Sequence, residues 1–188
     1  MDQTPLTDEE IAIRVQRGDI DAFGELVDRY EKKLHRYGTK FIARADDITD
    51  VVQDVFISVY RSIQGFDASL RFSPWIYRIA HNAFANHLRK NQHGPVDIDF
   101  DTFLAHHVVD ESAETERELK EIRAMIDTGL EKLSPKYREV LVLHYYEELS
   151  YKDMADVLQI PMGTVGIRMR RAKEALREAL REPLRDII

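Results

Sequence analysis

Between Arg71 and Lys90 the chain interleaves flat aromatic side chains with bases: Phe72, Trp75 and Tyr77 among Arg71, Arg78, His81, His87, Arg89 and Lys90. This combination suits single-stranded nucleic acid, because unstacked bases need apolar planes and the strand brings phosphates that need cations. Trp75, one turn into a helix, is equally suited to anchor a core. Asn82 falls mid-helix, where its side chain is a poor helix former, which favours a role for the amide itself. A second constellation is purely basic. From Arg168 to Arg181 six bases (Arg168, Arg170, Arg171, Lys173, Arg177, Arg181) face two acids, Glu174 and Glu178. An arginine can make paired hydrogen bonds to a guanine edge, which discriminates by roughly 1–3 kcal/mol. Lys173 and Arg177, further along, suit phosphate. A third set, Asp50, Gln53, Asp54, Ile57 and Arg61, recurs at steps of three and four. One helix face would then offer hydrogen-bonding groups and an aliphatic contact to a protein partner.

Other chemistries find little support. With no cysteine in 188 residues, disulfides, thiolate metal sites and cysteine nucleophiles are excluded. The seven histidines show no H-x-x-x-H or H-E-x-x-H spacing, His106-His107 falls in a loop, and His81 and His87 share a helix face poorly. No metal, cofactor or catalytic residue is expected. The acidic, polar start MDQTPLTDEE is not a signal peptide, and no apolar run approaches membrane-spanning length, so a cytoplasmic protein is expected. The net charge of −7 argues against nucleic acid only until its distribution is considered. From Pro95 to Glu118 eight acids stand against one base, Arg117, so the acidity is concentrated away from the basic segments.

The elements that must position these groups read as helices. Thr7-Asp8-Glu9-Glu10 has the form of a capping box opening a helix with Ile11 and Val15 on one face, ended by Gly18-Asp19. A second helix is predicted from Asp21 to about Phe41, and a third from Asp46 to Ile63 with Val51, Val52, Val55, Phe56 and Val59 inward. A loop to Phe72 precedes a fourth, with Ser73 as cap and Pro74 in its first turn, reaching Arg89 or Lys90. After Gly94-Pro95 the stripe is lost, and residues 95–112 read as an acidic linker, or else as a small irregular unit packing Phe100, Phe103 and Leu104. Helical signal resumes near Ala113 and runs to Leu133. Ser134-Pro135 opens another helix. Ser150 caps a short one, Gln159–Gly163 turns, and Thr164 caps a long one to about Leu180. The short helix, tight turn and long basic helix form a helix-turn-helix, with Met154, Ala155, Leu158, Val165 and Met169 as its seam. The expectation is an all-α protein of two small domains, 1–94 and 113–188, joined by the linker.

The strings DVVQDVF at Asp50–Phe56, VYR at Val59–Arg61 and FSPWIYRIAHN at Phe72–Asn82 resemble region 2 of extracytoplasmic-function (ECF) sigma factors of the sigma-70 family. So does Gly18-Asp19-x-x-Ala22-Phe23-x-x-Leu26-Val27. LSPxYREVL at Leu133–Leu141, LSYKDMA at Leu149–Ala155 and PxGTV at Pro161–Val165 resemble region 4. The motifs stand in family order and leave out little but the linker. The resemblance implies that Asp50, Gln53, Asp54, Ile57 and Arg61 dock on the β′ clamp coiled coil of core RNA polymerase. It implies that Arg71, Phe72, Trp75, Arg78, His81, Asn82, Asn86, Arg89 and Lys90 read and hold the melted −10 promoter element, Asn82 meeting a flipped base of the non-template strand. The second domain would meet the β flap and read the −35 duplex through Thr164, Arg168, Arg170, Arg171 and Lys173. The linker would thread polymerase, and an anti-sigma factor would restrain the whole. One departure stands out: after Gly-Thr-Val the family usually has a basic residue and then Ser, where this chain has Gly166 and Ile167. The −35 preference therefore does not transfer. A stand-alone helix-turn-helix regulator binding operator DNA is the competing expectation.

Overall fold

The computed structural model describes residues 5–91 and 125–181, and every regular element among them is helical. The acidic linker and the start of the helix expected from Ala113 lie outside the described residues. Helix α1 (Asp8–Gln16) opens with the predicted box, Glu10 N–H donating to Thr7 Oγ1 at 3.2 Å and Thr7 N–H to Glu10 Oε2 at 2.8 Å. Asp8, in its first turn, accepts from Tyr30 Oη and Arg29, each at 2.6 Å, which fixes α1 against α2 (Ile20–Gly38). That second helix stops three residues short of Phe41. Gly38 lies so close to α3 (Ala45–Ser62) and α4 (Phe72–Asn91) that a Cβ there would stand 2.7 Å from the Phe84 ring and 2.8 Å from Ile48. Gly38→Ala is expected to destabilise the chain by about 1–3 kcal/mol through overpacking. A lowered urea midpoint at unchanged slope checks it.

A 3₁₀ turn, Ile63–Gly65, follows α3, and the Gln16 amide clamps it by donating to the carbonyls of Ile63 and Phe66, both at 2.8 Å. Helix α4 begins one residue before the expected cap. Glu9 of α1 accepts the Phe72 N–H at 2.8 Å, so an acid from another helix does the work assigned to Ser73. The core of this first domain is aromatic, with Tyr30, Tyr37, Phe72 and Tyr77 fully buried in edge-on contacts.

In the second domain, residues 125–131 are helical (α5) and are followed by α6 (Pro135–Tyr145), α7 (Tyr151–Leu158) and α8 (Met162–Ala179). Ser150 and Asp153 form a capping box at α7, as its sequence position predicts. Thr164 caps nothing. Pro161 takes the cap position of α8, its carbonyl accepting from Thr164 N–H at 2.8 Å and Val165 N–H at 3.2 Å. Gln159, in the left-handed region at φ 52°, makes the turn, and Gly163 lies inside the helix. The seam is close to that expected: Met154, Leu158, Val165 and Met169 are buried, with Val157 in place of the half-buried Ala155.

Candidate nucleic-acid interface

On α3, Val51, Val52, Val55, Phe56 and Val59 point into the core, which turns Asp50, Gln53, Asp54, Ile57 and Arg61 outward together. Ile57 is 48% exposed and Tyr60 46%, the latter edge-on to Phe23 of α2 at 5.1 Å. Two large apolar side chains thus stand in solvent beside two carboxylates and an amide. Patches of that composition suit a protein partner. Tyr60, an apolar position in the sequence, belongs to this outer face.

On α4 the predicted DNA-reading residues divide. Trp75, Arg78, Asn82, Asn86 and Arg89 follow one another at steps of three and four and form one stripe, half-buried at Trp75 and exposed beyond it. Asn86 accepts a hydrogen bond from Arg89 one turn on, and Lys90 lies exposed at the edge. Phe72 does not belong to the stripe. Its ring is fully buried, 5.5 Å from Tyr30 and 5.4 Å from Phe66, so it supports the surface from beneath and cannot stack on a base. Tyr77 is likewise buried. Trp75 leans on Phe66 at 5.0 Å and Phe72 at 5.4 Å with part of its indole open, so it packs on the core and still presents a face to the surface. It opens into a cleft of ≈ 440 Å³ whose walls include Arg71, Trp75 and Arg78 on one side and Lys152, Asp153 and Asp156 of α7 on the other.

That cleft exists because the second domain packs against the first, α7 beside α4. Arg71 pairs with Asp153 at 3.0 Å, and His81 Nδ1 with Glu139 Oε1 at 2.7 Å. The same Glu139 oxygen accepts from the Tyr37 hydroxyl at 2.6 Å. Glu147 meets Arg36 at 2.7 Å and accepts from the Tyr77 hydroxyl, while Lys40 reaches Asp127 at 2.8 Å. Burial first, and then the facing carboxylates, raise the Tyr37 and Tyr77 hydroxyls well above the ordinary phenol range, so both remain donors. Arg138 is buried and donates to the carbonyls of Leu130, Glu131, Leu133 and, across the domain boundary, Lys40. Burial lowers its pKa from the usual guanidinium value. Of these groups only Arg71, Tyr77 and His81 stood out in the sequence, and for a different role. The available signal was a glutamate beside the apolar run Val140–Leu143, where a charge needs a partner.

On α8, Val165, Met169 and Ala172 are buried against α6 and α7. Arg170 and Arg171 are exposed on the far side, while Thr164 and Arg168 are half-buried at its flanks. Lys173 points sideways, its Nζ 5.5 Å from the Tyr145 ring centre, and a hydrogen bond to Tyr145 raises its pKa. Opposite the buried row, at the centre of the outward face, stands Ile167, 51% exposed.

A helix-turn-helix with a basic outer face, beside a domain carrying an aromatic–basic–amide stripe, matches known proteins closely. Residues 26–94 match the family model for Sigma-70 region 2, and residues 123–176 that for Sigma-70 region 4. The RNA polymerase sigma-H factor of Pseudomonas aeruginosa is 37% identical over 186 residues, 95% of this chain and 96% of its own length. The ECF RNA polymerase sigma factor SigW of Bacillus subtilis is 35% identical over 175 residues, 88% and 92% of the two chains. The chain belongs to the ECF sigma factors of the sigma-70 family. Among solved structures, CnrH in complex with the cytosolic domain of CnrY resembles this sigma factor with a TM-score of 0.65 and 26% identity, covering 93% of this chain and 97% of that one. The sigma factor RpoE of Bartonella quintana, solved with the anti-sigma factor NepR, shares the fold at 22% identity and a TM-score of 0.63, over 86% and 98% of the chains. No helix among the described residues of this sigma factor is long and apolar enough to cross a membrane.

Proposed function

We propose that the chain is a dissociable specificity subunit of RNA polymerase, working in the cytoplasm, whose promoter reading is divided between two helices. The observation that carries this is the α4 stripe of Trp75, Arg78, Asn82, Asn86 and Arg89. It combines a π-face, cations and amides along one line, as capture of a melted strand requires. Domain 1–94 then binds the polymerase clamp through Asp50, Gln53, Asp54, Ile57 and Arg61 and holds the −10 strand through that stripe, with Arg71, His81 and Lys90 at its margins. The burial of Phe72 removes it from the contact set and makes it the floor under Trp75. The linker 95–112 threads polymerase. Domain 113–188 meets the β flap and reads the −35 duplex through the outward face of α8. The factor supplies binding and positioning, and the bond-making chemistry remains polymerase's. The likeness to CnrH, solved with a protein partner, supports a protein antagonist for this chain too.

A hydroxyl-radical footprint of a promoter held by the factor and core polymerase tests this reading. Protection of both the −35 duplex and the −10 non-template strand is expected, and protection of one duplex site alone, with or without polymerase, would favour an operator-binding regulator.

The centre of the α8 face makes the −35 preference specific to this chain. Ile167 presents an aliphatic tip between Arg170 and Arg171, and a Cβ added at Gly163 or Gly166 would meet nothing within 4 Å, so neither glycine is there for internal packing. An aliphatic group at a major-groove edge favours the thymine methyl. Ile167→Ser is therefore expected to relax selection for thymine at one −35 position by about fourfold, the worth of roughly one buried methylene. Selection from a randomised −35 segment with the parent and variant holoenzymes measures it.

A further inference from the structure

We infer that Tyr145, which lies outside the helix-turn-helix, is a DNA contact: with Lys173 it forms a two-donor clamp for one backbone phosphate beside the −35 groove. The clamp rests on the reading of α8 as the −35 surface and extends that surface onto α6. Among the described residues of the second domain, the exposed large apolar side chains are Tyr145, Met162 and Ile167. Met162 and Ile167 belong to α8, whereas Tyr145 ends α6 and is 58% exposed with no place in the groove-reading face. Its hydroxyl is hydrogen-bonded to Lys173, whose Nζ lies 5.5 Å from the ring centre. An ammonium can only donate, so the phenol oxygen accepts and the Tyr145 proton is left for another acceptor. Lys173 keeps N–H donors of its own. The groups acting on its ammonium are the phenols of Tyr145 and Tyr151 rather than a carboxylate, so its charge is uncompensated.

The pair is held in place from behind. His144 stands edge-on to Tyr145 at 4.8 Å and to Tyr151, the first residue of α7, at 5.5 Å. Its Nδ1 lies 2.9 Å from the Leu149 carbonyl. A carbonyl only accepts, so Nδ1 carries the proton and the backbone fixes the ring that both tyrosines lean on. The end of α6, the start of α7 and the middle of α8 thus meet at one point. Lys173 follows the exposed Arg170 by three residues and stands on the same flank of α8, one turn further from Ile167. From Ile167 through Arg170 to Lys173 and Tyr145 the surface passes from base edges to the backbone. A phosphodiester fits that end of the row, because its single charge and free oxygens match a cation and a hydroxyl side by side. Contacts of this kind fix the register of a protein on the duplex. They also account for a lysine turned sideways, away from the groove-reading face.

Tyr145→Phe removes the hydroxyl and keeps the ring against His144, so the variant should fold as the parent does. Bound to core polymerase at a synthetic promoter selected with the parent, the full-length variant should lose affinity by about tenfold, the worth of one charge-assisted hydrogen bond. Lys173→Ala should in addition flatten the salt dependence by about one counterion. The deciding measurement replaces the backbone phosphates around −35 one at a time by uncharged methylphosphonates. One position should weaken the parent holoenzyme severalfold and leave Lys173→Ala unaffected, with Tyr145→Phe in between. Tyr145→Phe/Lys173→Ala should bind within about twofold of Lys173→Ala alone, because the two side chains act on one phosphate. A Tyr145→Phe holoenzyme with the parent's affinity and the parent's methylphosphonate profile would overturn the clamp. A loss spread evenly over every backbone position would overturn it too, since that marks a defect of structure. If Arg170→Ala still weakened binding at −35, the reading of α8 would stand. Silence of Arg170→Ala as well would place the failure in that reading.

Discussion

A chain carrying Asp54→Arg and Ile57→Glu together should fold normally and fail to bind core polymerase. Both side chains point away from the core row of α3 and are exposed, so the cost to stability should stay within about 0.5 kcal/mol per site. Their cost to binding is of another order. Ile57, nearly half exposed beside Tyr60, is the aliphatic contact proposed for the middle of the face, and a carboxylate there would have to be desolvated without a partner. Reversing Asp54 sets a cation where the partner surface expects an acid. Centrally placed contacts of this kind cost about 2 kcal/mol or more each, so affinity should fall by at least about a hundredfold. Titration of labelled factor with core polymerase checks it, with far-ultraviolet circular dichroism confirming the helix content. Binding within threefold of the parent would remove α3 from the clamp interface.

Asn82→Ala carries the second large effect, and it should appear at a different step. Asn82 is exposed at the middle of the α4 stripe, and alanine favours a helix more than asparagine does, so stability should hold or rise slightly. An amide that hydrogen-bonds a captured base is worth about 1–3 kcal/mol. Open complexes should fall roughly tenfold to a hundredfold while polymerase affinity stays at the parent value. Permanganate footprinting of unpaired thymines, alongside the same titration, separates the two. A loss of polymerase binding would contradict the division of labour between α3 and α4.

Much of this architecture was legible from the residues. Helices with a strong apolar stripe and a local cap, α1 with Thr7 and α7 with Ser150, stand where their sequences place them, because every interaction that defines such an end lies within one turn. Prediction failed where a distant or backbone group took over the local role. Glu9 caps α4 in place of Ser73, and the Pro161 carbonyl opens α8 ahead of Thr164. Phe72 shows the same limit at the site. Its neighbours in sequence suggested an exposed plane, yet Tyr30 and Phe66 enclose it. The domain boundary was the least legible feature. Tyr37 and Glu139 are 102 residues apart, and no periodicity records which buried carboxylate will find which phenol. The family motifs suggest the roles proposed for α3, α4 and α8, but leave the preference of α8 open. The exposed Ile167 is the basis of the thymine preference proposed for this chain.

The claim on which the rest depends is that this chain gives RNA polymerase a promoter. Core polymerase, the purified factor and a randomised promoter library, followed by sequencing of the transcript starts, test it in one reaction. Starts should collapse onto templates sharing two elements, one near −35 and one near −10, and only when the factor is present. A start distribution identical with and without the factor would contradict it.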